Sequence, residues 1–224
     1  MLPELCLQTP LRGNPAFHFM LWTAGLFYGP VIWSVVCHLC TARHDGVSRR
    51  TRLLLALPGA SLFLLLSFLS APLCILIATL LLLSFLLVLS LIDLHCYLLP
   101  DSLTLPLLWL GLLSHALLLP NQLADAVYGA AAGYGCCWII YWLCKAITAK
   151  EGLGYGDFKL MAALGAWVGW QQLPQVAIIA SFTGGVVYCL RLGFYKKRGE
   201  LPFGPCLATG GALVYISQHF TLPG

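Results

Sequence analysis

Charged side chains are scarce in this sequence of 224 residues, since Asp, Glu, Lys and Arg together make up 9% of it. A soluble domain of ordinary composition carries about 25% charged residues, so the sequence excludes that class of protein. Between Leu53 and Ile92 there is no charged residue at all. Hydrophobic residues account for 60% of the chain, and the mean hydropathy is +0.88. This composition predicts an all-α, polytopic membrane helix bundle.

The hydrophobic segments predict about eight transmembrane spans, separated by short polar loops. Span one is predicted over residues 17–42, spans two and three over 53–92, span four over 103–119, span five over 123–147, span six over 158–170, span seven over 176–194, and span eight up to about 220. We expect residues 1–52 to form an N-terminal span with a short basic loop, and residues 53–224 to form the membrane-embedded catalytic bundle.

The basic residues are distributed unequally between the two sides of this alternation. All Lys and Arg residues except Arg12 fall on one side. Basic loops stay in the cytoplasm, so that side is predicted to be cytoplasmic. The same residues are spread over several loops rather than gathered on one polar face, and we therefore expect a lipid bilayer, not nucleic acid, as the partner.

Three aspartates fall at span ends on the predicted cytoplasmic side: Asp93 after span three, Asp101 before span four and Asp157 before span six. Carboxylates at such a depth are costly and are usually functional. Asp93 lies at a helix C-terminus, where the dipole disfavours an anion, so its pKa is expected to rise. Asp157 opens a helix, and its pKa is expected to fall. A plain N-cap role is the structural alternative for Asp157, and it is the preferred interpretation of Asp101.

Two carboxylates whose pKa values are pushed apart can hydrolyse a peptide, one activating water as a base and the other protonating as an acid. We assign Asp157 as the base and Asp93 as the acid, with a proton that the pair can share. A structural or transport role stays open at this point.

The residues that surround Asp157 suggest how its turn is built. Glycines at 152, 154 and 156 reach dihedral angles closed to other residues and allow close approach of a neighbouring segment, so Gly154 and Gly156 are predicted to shape the turn. Lys159 is expected to hold the turn or to attract an acidic residue of a substrate.

Small residues and cysteines complete the pattern. Gly129 with Gly133 and Gly165 with Gly169 have the spacing of helix contacts. Most of the ten cysteines lie in apolar segments and are interpreted as packing residues, with no disulfide framework. Cys37-x-x-Cys40 with His44 is a weaker alternative for zinc, and no metal site is predicted because a second Cys-x-x-Cys pair is missing.

The chain resembles the type IV prepilin leader peptidases, which are membrane aspartic peptidases with a Gly-x-Gly-Asp motif. Three blocks carry the resemblance: Leu91-Ile92-Asp93 with Leu99-Pro100-Asp101-Ser102-Leu103-Thr104-Leu105-Pro106, then Gly154-Tyr155-Gly156-Asp157-Phe158-Lys159 with the helix that follows, then Pro202-Phe203-Gly204-Pro205. The resemblance implies Asp93 and Asp157 as the catalytic pair. It also implies cleavage at the cytoplasmic face of the bacterial inner membrane, after a glycine that ends a short basic leader.

The implied substrates are type IV prepilins or the pseudopilins of type II secretion, whose hydrophobic helix we expect the Leu, Ala and Gly faces of spans four to six to receive. Longer family members carry a cytoplasmic domain with two Cys-x-x-Cys pairs, where this chain has only residues 43–52. Proteolysis needs no cofactor. Methylation of the new N-terminus, if retained, implies S-adenosylmethionine. The alternative class is a non-enzymatic membrane protein, either a proton-coupled transporter or an assembly subunit of the secretion or pilus machinery.

Overall fold

The structure is a computed structural model, and it describes residues 73–148, 154–195 and 202–219. These residues form six α-helices, and no strand occurs among them. The helices are α1 (Leu73–Cys96), α2 (Asp101–Leu118), α3 (Leu123–Thr148), α4 (Tyr155–Val168), α5 (Leu173–Tyr195) and α6 (Gly204–His219). Short 3-10 turns, Pro120–Gln122 and Trp170–Gln172, precede α3 and α5. The predicted all-α class is confirmed.

Four segments of the described chain are long and apolar enough to cross a membrane: Cys74–Cys96, Asp101–Leu118, Pro120–Ile147 and Trp170–Gly193. They match the predicted spans three, four, five and seven. Span one, most of span two, the basic loop 43–52 and the Cys37, Cys40 and His44 set lie outside the described residues. The total of eight spans and the division at residue 52 therefore stay predictions.

Residues 85–218 form one compact unit, which contains α4 and both candidate aspartates. Residues 73–84 and His219 belong to a second unit, whose remaining residues lie outside those described. Cys74 and Cys96, at opposite ends of α1, are each disulfide-bonded, which corrects the expectation of no disulfide framework. An apolar neighbourhood in sequence does not separate a packing cysteine from a bonded one.

Helix α4 is the helix that the other elements enclose. Its 14 residues span about 21 Å, too short for an upright crossing of the bilayer. From Asp157 to Val168 every residue except Lys159 is buried. A helix that is apolar all round is stable only where protein or lipid covers each face, and here protein covers it.

Glycines bring α3 against α4. A Cβ atom at Gly133 would lie 2.6 Å from the Met161 carbonyl oxygen, and one at Gly129 would overlap the backbone of Gly165. The predicted contact spacing of Gly129 with Gly133 and of Gly165 with Gly169 is therefore confirmed. Small residues at these positions let the two backbones touch, which is how helices gain packing energy inside a membrane.

The indole of Trp167 fixes the far half of α4 against two other helices. Its Nε1 atom donates a hydrogen bond of 2.9 Å to the carbonyl of Leu107 on α2, and a Cβ atom at Gly111 would lie 2.7 Å from the ring. On the other side its ring meets the edge of Tyr215 on α6, with centroids 5.7 Å apart. Because the indole N–H is hydrogen-bonded, burying the ring does not incur the free-energy cost of an unpaired polar group.

Candidate active site

Asp93 and Asp157 come together although they belong to helices far apart in sequence. Asp93 lies in the last turn of α1 and is 6% exposed, while Asp157 is the third residue of α4 and is 9% exposed. The negative charge of Asp93 contributes to the raised pKa of Asp157, so the two carboxylates lie within electrostatic range of each other. The thiols of Cys137 on α3 and Cys206 on α6 border the same site.

Burial is the first cause of the perturbed Asp157 carboxyl. It raises the pKa from the ordinary 3.8 to about 6, with the Asp93 charge as the second cause and a hydrogen bond to the Gly154 backbone opposing both. The expected downward shift is therefore wrong. Removal from water and a like charge outweigh the favourable helix N-terminus, whose effect is worth about 1 kcal/mol.

The glycines before Asp157 act through space rather than through unusual dihedral angles. Gly154 has φ −75° and ψ 145°, an extended conformation open to any residue. A Cβ atom at Gly156 would lie 2.7 Å from the Leu99 side chain. The start of α4 can therefore pack against the α1–α2 loop only if position 156 is glycine. For Gly154 and Gly156 the predicted special dihedrals are wrong, whereas the predicted close approach is confirmed at Gly156.

Neither aspartate that was considered as an N-cap is one. Gly154 is the N-cap of α4 and Pro100 that of α2, so Asp101 is the first helical residue. The carboxylate of Asp101 instead pairs with Lys159, whose Nζ lies 2.6 Å from Oδ1 and 2.7 Å from Oδ2. Lys159 holds the first turn of α4 to α2, as one of its two predicted roles required.

Gly204 is a site residue for which the sequence analysis assigned no function beyond its place in the third block. Its backbone N–H donates a hydrogen bond of 2.8 Å to Oδ2 of Asp93. Gly204 begins α6, where the first N–H groups of a helix have no partner within the helix. A glycine at a helix start after a proline turn was the only signal in the sequence, and it names no acceptor.

An aromatic cluster that the sequence analysis also missed packs against the start of α4. Tyr141 of α3 is 1% exposed, and its ring lies 5.3 Å from that of Tyr155 and 5.7 Å from that of Phe158. Its hydroxyl group is within 3.2 Å of the Lys145 Nζ and 3.3 Å of the Tyr155 hydroxyl. The cluster holds Tyr155 and Phe158, which lie on either side of Asp157 in the first turn of α4.

The opposite end of α4 carries a separate polar contact. There Asp125 accepts a hydrogen bond of 3.0 Å from the Trp170 indole and lies beside Gly169. Asp125 is therefore a full helix length from Asp157. Because α4 is covered on all its faces, it offers no face to a substrate helix, and the expectation that spans four to six would all receive one is wrong for span six.

Residues 80–189 match the model of the type IV leader peptidase family. This region of the chain belongs to that family. Among relatives of this chain, the prepilin leader peptidase/N-methyltransferase of Pectobacterium carotovorum is 52% identical over 145 residues, which cover 64% of this chain and 52% of the relative. The protein of that name from Escherichia coli is 52% identical over 140 residues, covering 59% and 62%.

A third relative with the same name, from Pseudomonas aeruginosa, is 51% identical over 133 residues, or 58% of this chain and 46% of the relative. The chain thus spans about half the length of the curated relatives it matches. No solved structure matches it. The matched region includes both candidate aspartates, the Gly-x-Gly-Asp turn and the Lys159 and Asp101 pair, so the family match and the geometry concern the same part of the molecule.

Proposed function

We propose that this chain is an aspartic endopeptidase that removes the short basic leader of type IV prepilins or type II secretion pseudopilins. The observation that carries the proposal is the electrostatic contact of Asp93 with Asp157, two buried carboxylates supplied by different helices. Buried like charges are unfavourable for folding, and such pairs mark sites of acid–base chemistry.

The pKa of Asp157 suggests which member of the pair holds the shared proton. The charge of Asp93 is the second cause of that raised pKa, and on this basis we assign the negative charge of the singly protonated pair to Asp93 and the proton to Asp157. We therefore propose Asp93 as the base and Asp157 as the acid in the singly protonated pair, the reverse of the roles assigned from helix position. The pair still titrates as a unit, so each residue exchanges its proton during turnover.

The chemistry then balances in two steps. Asp93 takes a proton from water while the water oxygen bonds to the scissile carbonyl carbon, and the carbonyl oxygen takes the proton of Asp157. In the second step Asp157 recovers that proton as the carbonyl reforms, and Asp93 gives its proton to the leaving nitrogen as the C–N bond breaks. The pair returns to its singly protonated form.

The membrane face follows from charge. We propose that the site faces the cytoplasm of a bacterial inner membrane, because the predicted alternation of spans puts all Lys and Arg residues except Arg12 on the same side as Asp93 and Asp157. Lys159 and Asp101 are exposed there and Asp125 lies at the opposite end of α4. A leader that stays in the cytoplasm after its hydrophobic helix has inserted would reach this end.

The test is co-expression with a prepilin, following the loss of the leader by a shift in mobility. Asp93→Asn and Asp157→Asn should each abolish cleavage, whereas Asp125→Asn, a control at the far end of α4, should cleave as the wild type does. Leader removal at the normal rate by either of the first two variants would contradict the assignment of that residue. A transporter or an assembly subunit would give no cleavage with any of the proteins.

The relatives are also named N-methyltransferases, and for this chain that activity is a separate proposal that rests on those names alone. It would transfer a methyl group from S-adenosylmethionine to the new N-terminal amine. Transfer of a labelled methyl group to the cleaved pilin tests it, and a cleaved pilin without label would contradict it.

A further inference from the structure

Within the described residues, the Asp93 side chain accepts one hydrogen bond, and its donor is a backbone group of another helix. The N–H of Gly204 lies 2.8 Å from Oδ2, and both residues are buried. A carboxylate that is buried without such a donor loses its hydrogen bonds to water, and no hydrogen bond within the protein replaces them. The contact is therefore part of how this protein keeps a charged group in an apolar place.

The space around Gly204 matches that purpose. A Cβ atom at this position would lie 2.7 Å from Oδ2 of Asp93 and 3.1 Å from its carboxyl carbon. Any other residue would push the carboxylate away from the amide. The amide itself is held in place because the N–H groups of Cys206 and Leu207 both donate to the Phe203 carbonyl, each at 3.0 Å, and so fix the first turn of α6.

We propose that Gly204 is a positioning residue of the peptidase, whose amide aims the Asp93 carboxylate and keeps the negative charge of the pair on Asp93. The inference rests on the proposed function and deepens it. A hydrogen bond from N–H favours the ionised form of its acceptor. With Oδ2 occupied by the amide, Oδ1 is left to take the proton of water, so the orientation of the base is set before substrate arrives.

Among the residues that the structure describes, few charged or titratable groups lie near the pair. Asp157 of α4 and the Cys206 thiol of α6 face Asp93, and the Cys137 thiol of α3 faces Asp157. Thiols ordinarily titrate near pH 8.5, well above the range in which the carboxyl pair changes charge. Changes at Gly204 should therefore appear in the titration of the aspartates.

The decisive variant removes the amide hydrogen without adding an atom that clashes. Glycolic acid at position 204 of the full chain replaces the N–H by an ester oxygen. Glycolic acid at Gly210, on the same helix but packed against Val176, is the matched control for loss of a backbone N–H. Both proteins are compared with the wild type for kcat and KM of prepilin cleavage across pH, and for thermal unfolding in detergent.

The ester at 204 should lower kcat by about 30-fold or more with KM within twofold of the wild type. The acidic limb of the pH profile, which reports ionisation of Asp93, should move up by about one pH unit because the anion has lost its donor. The ester at 210 should lower the unfolding temperature and leave the pH profile unchanged. Equal effects of both esters, or an unshifted profile at 204, would overturn the proposal.

A second pair of variants decides the case if the ester at 204 does not fold. Gly204→Ala should fail to fold or lose all cleavage, since its methyl group meets the Asp93 carboxylate. Asp93→Ala removes that carboxylate, so the double variant should recover the unfolding temperature of Asp93→Ala alone. Absence of that recovery would overturn the contact. Failure of the proposed function is seen separately, as an Asp157→Asn variant that still cleaves.

Discussion

The ammonium group of Lys159 on α4 donates hydrogen bonds of 2.6 and 2.7 Å to both carboxylate oxygens of Asp101 on α2. Both side chains are partly open to solvent, at 34% and 56% exposure. An ion pair of that exposure is worth about 0.2–1 kcal/mol. It therefore serves to align the first turn of α4, two residues from Asp157, more than to stabilise the fold.

We expect Lys159→Met and Asp101→Asn each to slow prepilin cleavage by about two- to tenfold, with little change in unfolding temperature, because alignment loosens while packing stays. The two effects should not add in the double variant, because both remove one interaction. A loss of several hundredfold in the Lys159 variant alone would mean that Lys159 touches the substrate.

The contact of Gly156 with Leu99 gives a second prediction. Gly156→Ala should strongly reduce cleavage, since its methyl group would lie 2.7 Å from Leu99 and displace the turn that carries Asp157. The nearest atom is the Leu99 Cβ, which Leu99→Gly removes, so the Gly156→Ala/Leu99→Gly double variant should recover at least tenfold in rate over Gly156→Ala. Gly154→Ala is the control: its Cβ atom would approach the Asp157 carboxylate no closer than 3.5 Å, and its activity should stay within about threefold of the wild type.

Thermal stability should depend on pH through Asp157. Its pKa in the folded protein is raised from 3.8 to about 6, so the folded state is favoured while the group is protonated and loses about 3 kcal/mol as pH rises through 6. Asp157→Asn, which cannot ionise, should therefore unfold at a higher temperature than the wild type at pH 7.5. At pH 4 the two proteins should unfold at similar temperatures. Equal unfolding temperatures at pH 7.5 would contradict the prediction that the ionised Asp157 carboxylate destabilises the folded protein.

The cleavage reaction should also report this ionisation. If the singly protonated pair is the active form, kcat/KM should fall about tenfold per pH unit above the pKa near 6, because Asp157 has then lost the proton it must donate. Asp101→Asn, whose carboxylate lies outside the pair, should leave that limb where it is. A rate that instead rises through pH 6 would assign Asp157 as the base, as its position at a helix start suggested.

Hydrophobic length and glycine spacing were enough to predict much of this fold. The four candidate spans of the described chain follow long, mostly apolar segments, and the α3–α4 contact follows Gly129, Gly133 and Gly165, because only small residues let backbones touch. The pairing of Asp93 with Asp157 was predictable for a related reason, since alternating spans place both at one membrane depth.

What sequence did not reveal depends on contacts between distant segments. The pKa of Asp157 is decided by burial and by the Asp93 charge, neither of which is visible in the local pattern of a helix start. The Gly204 amide and the Tyr141 ring join the site only through packing of α6 and α3 against α4. Local capping rules predicted that the Asp101 carboxylate would cap its own helix, but it forms an ion pair with Lys159 of another helix.

Under the proposed function, the enclosure of α4 has a consequence for how selectivity for pilins can evolve. A substrate helix that cannot lie along α4 would contact the outer sides of the surrounding helices, where large side chains such as Trp109, Trp138 and Phe182 are exposed. Large side chains at these outward positions can be replaced by others while the buried helix α4 keeps Asp157 in place. Recognition is thereby free to diversify, and the cutting machinery stays as it is.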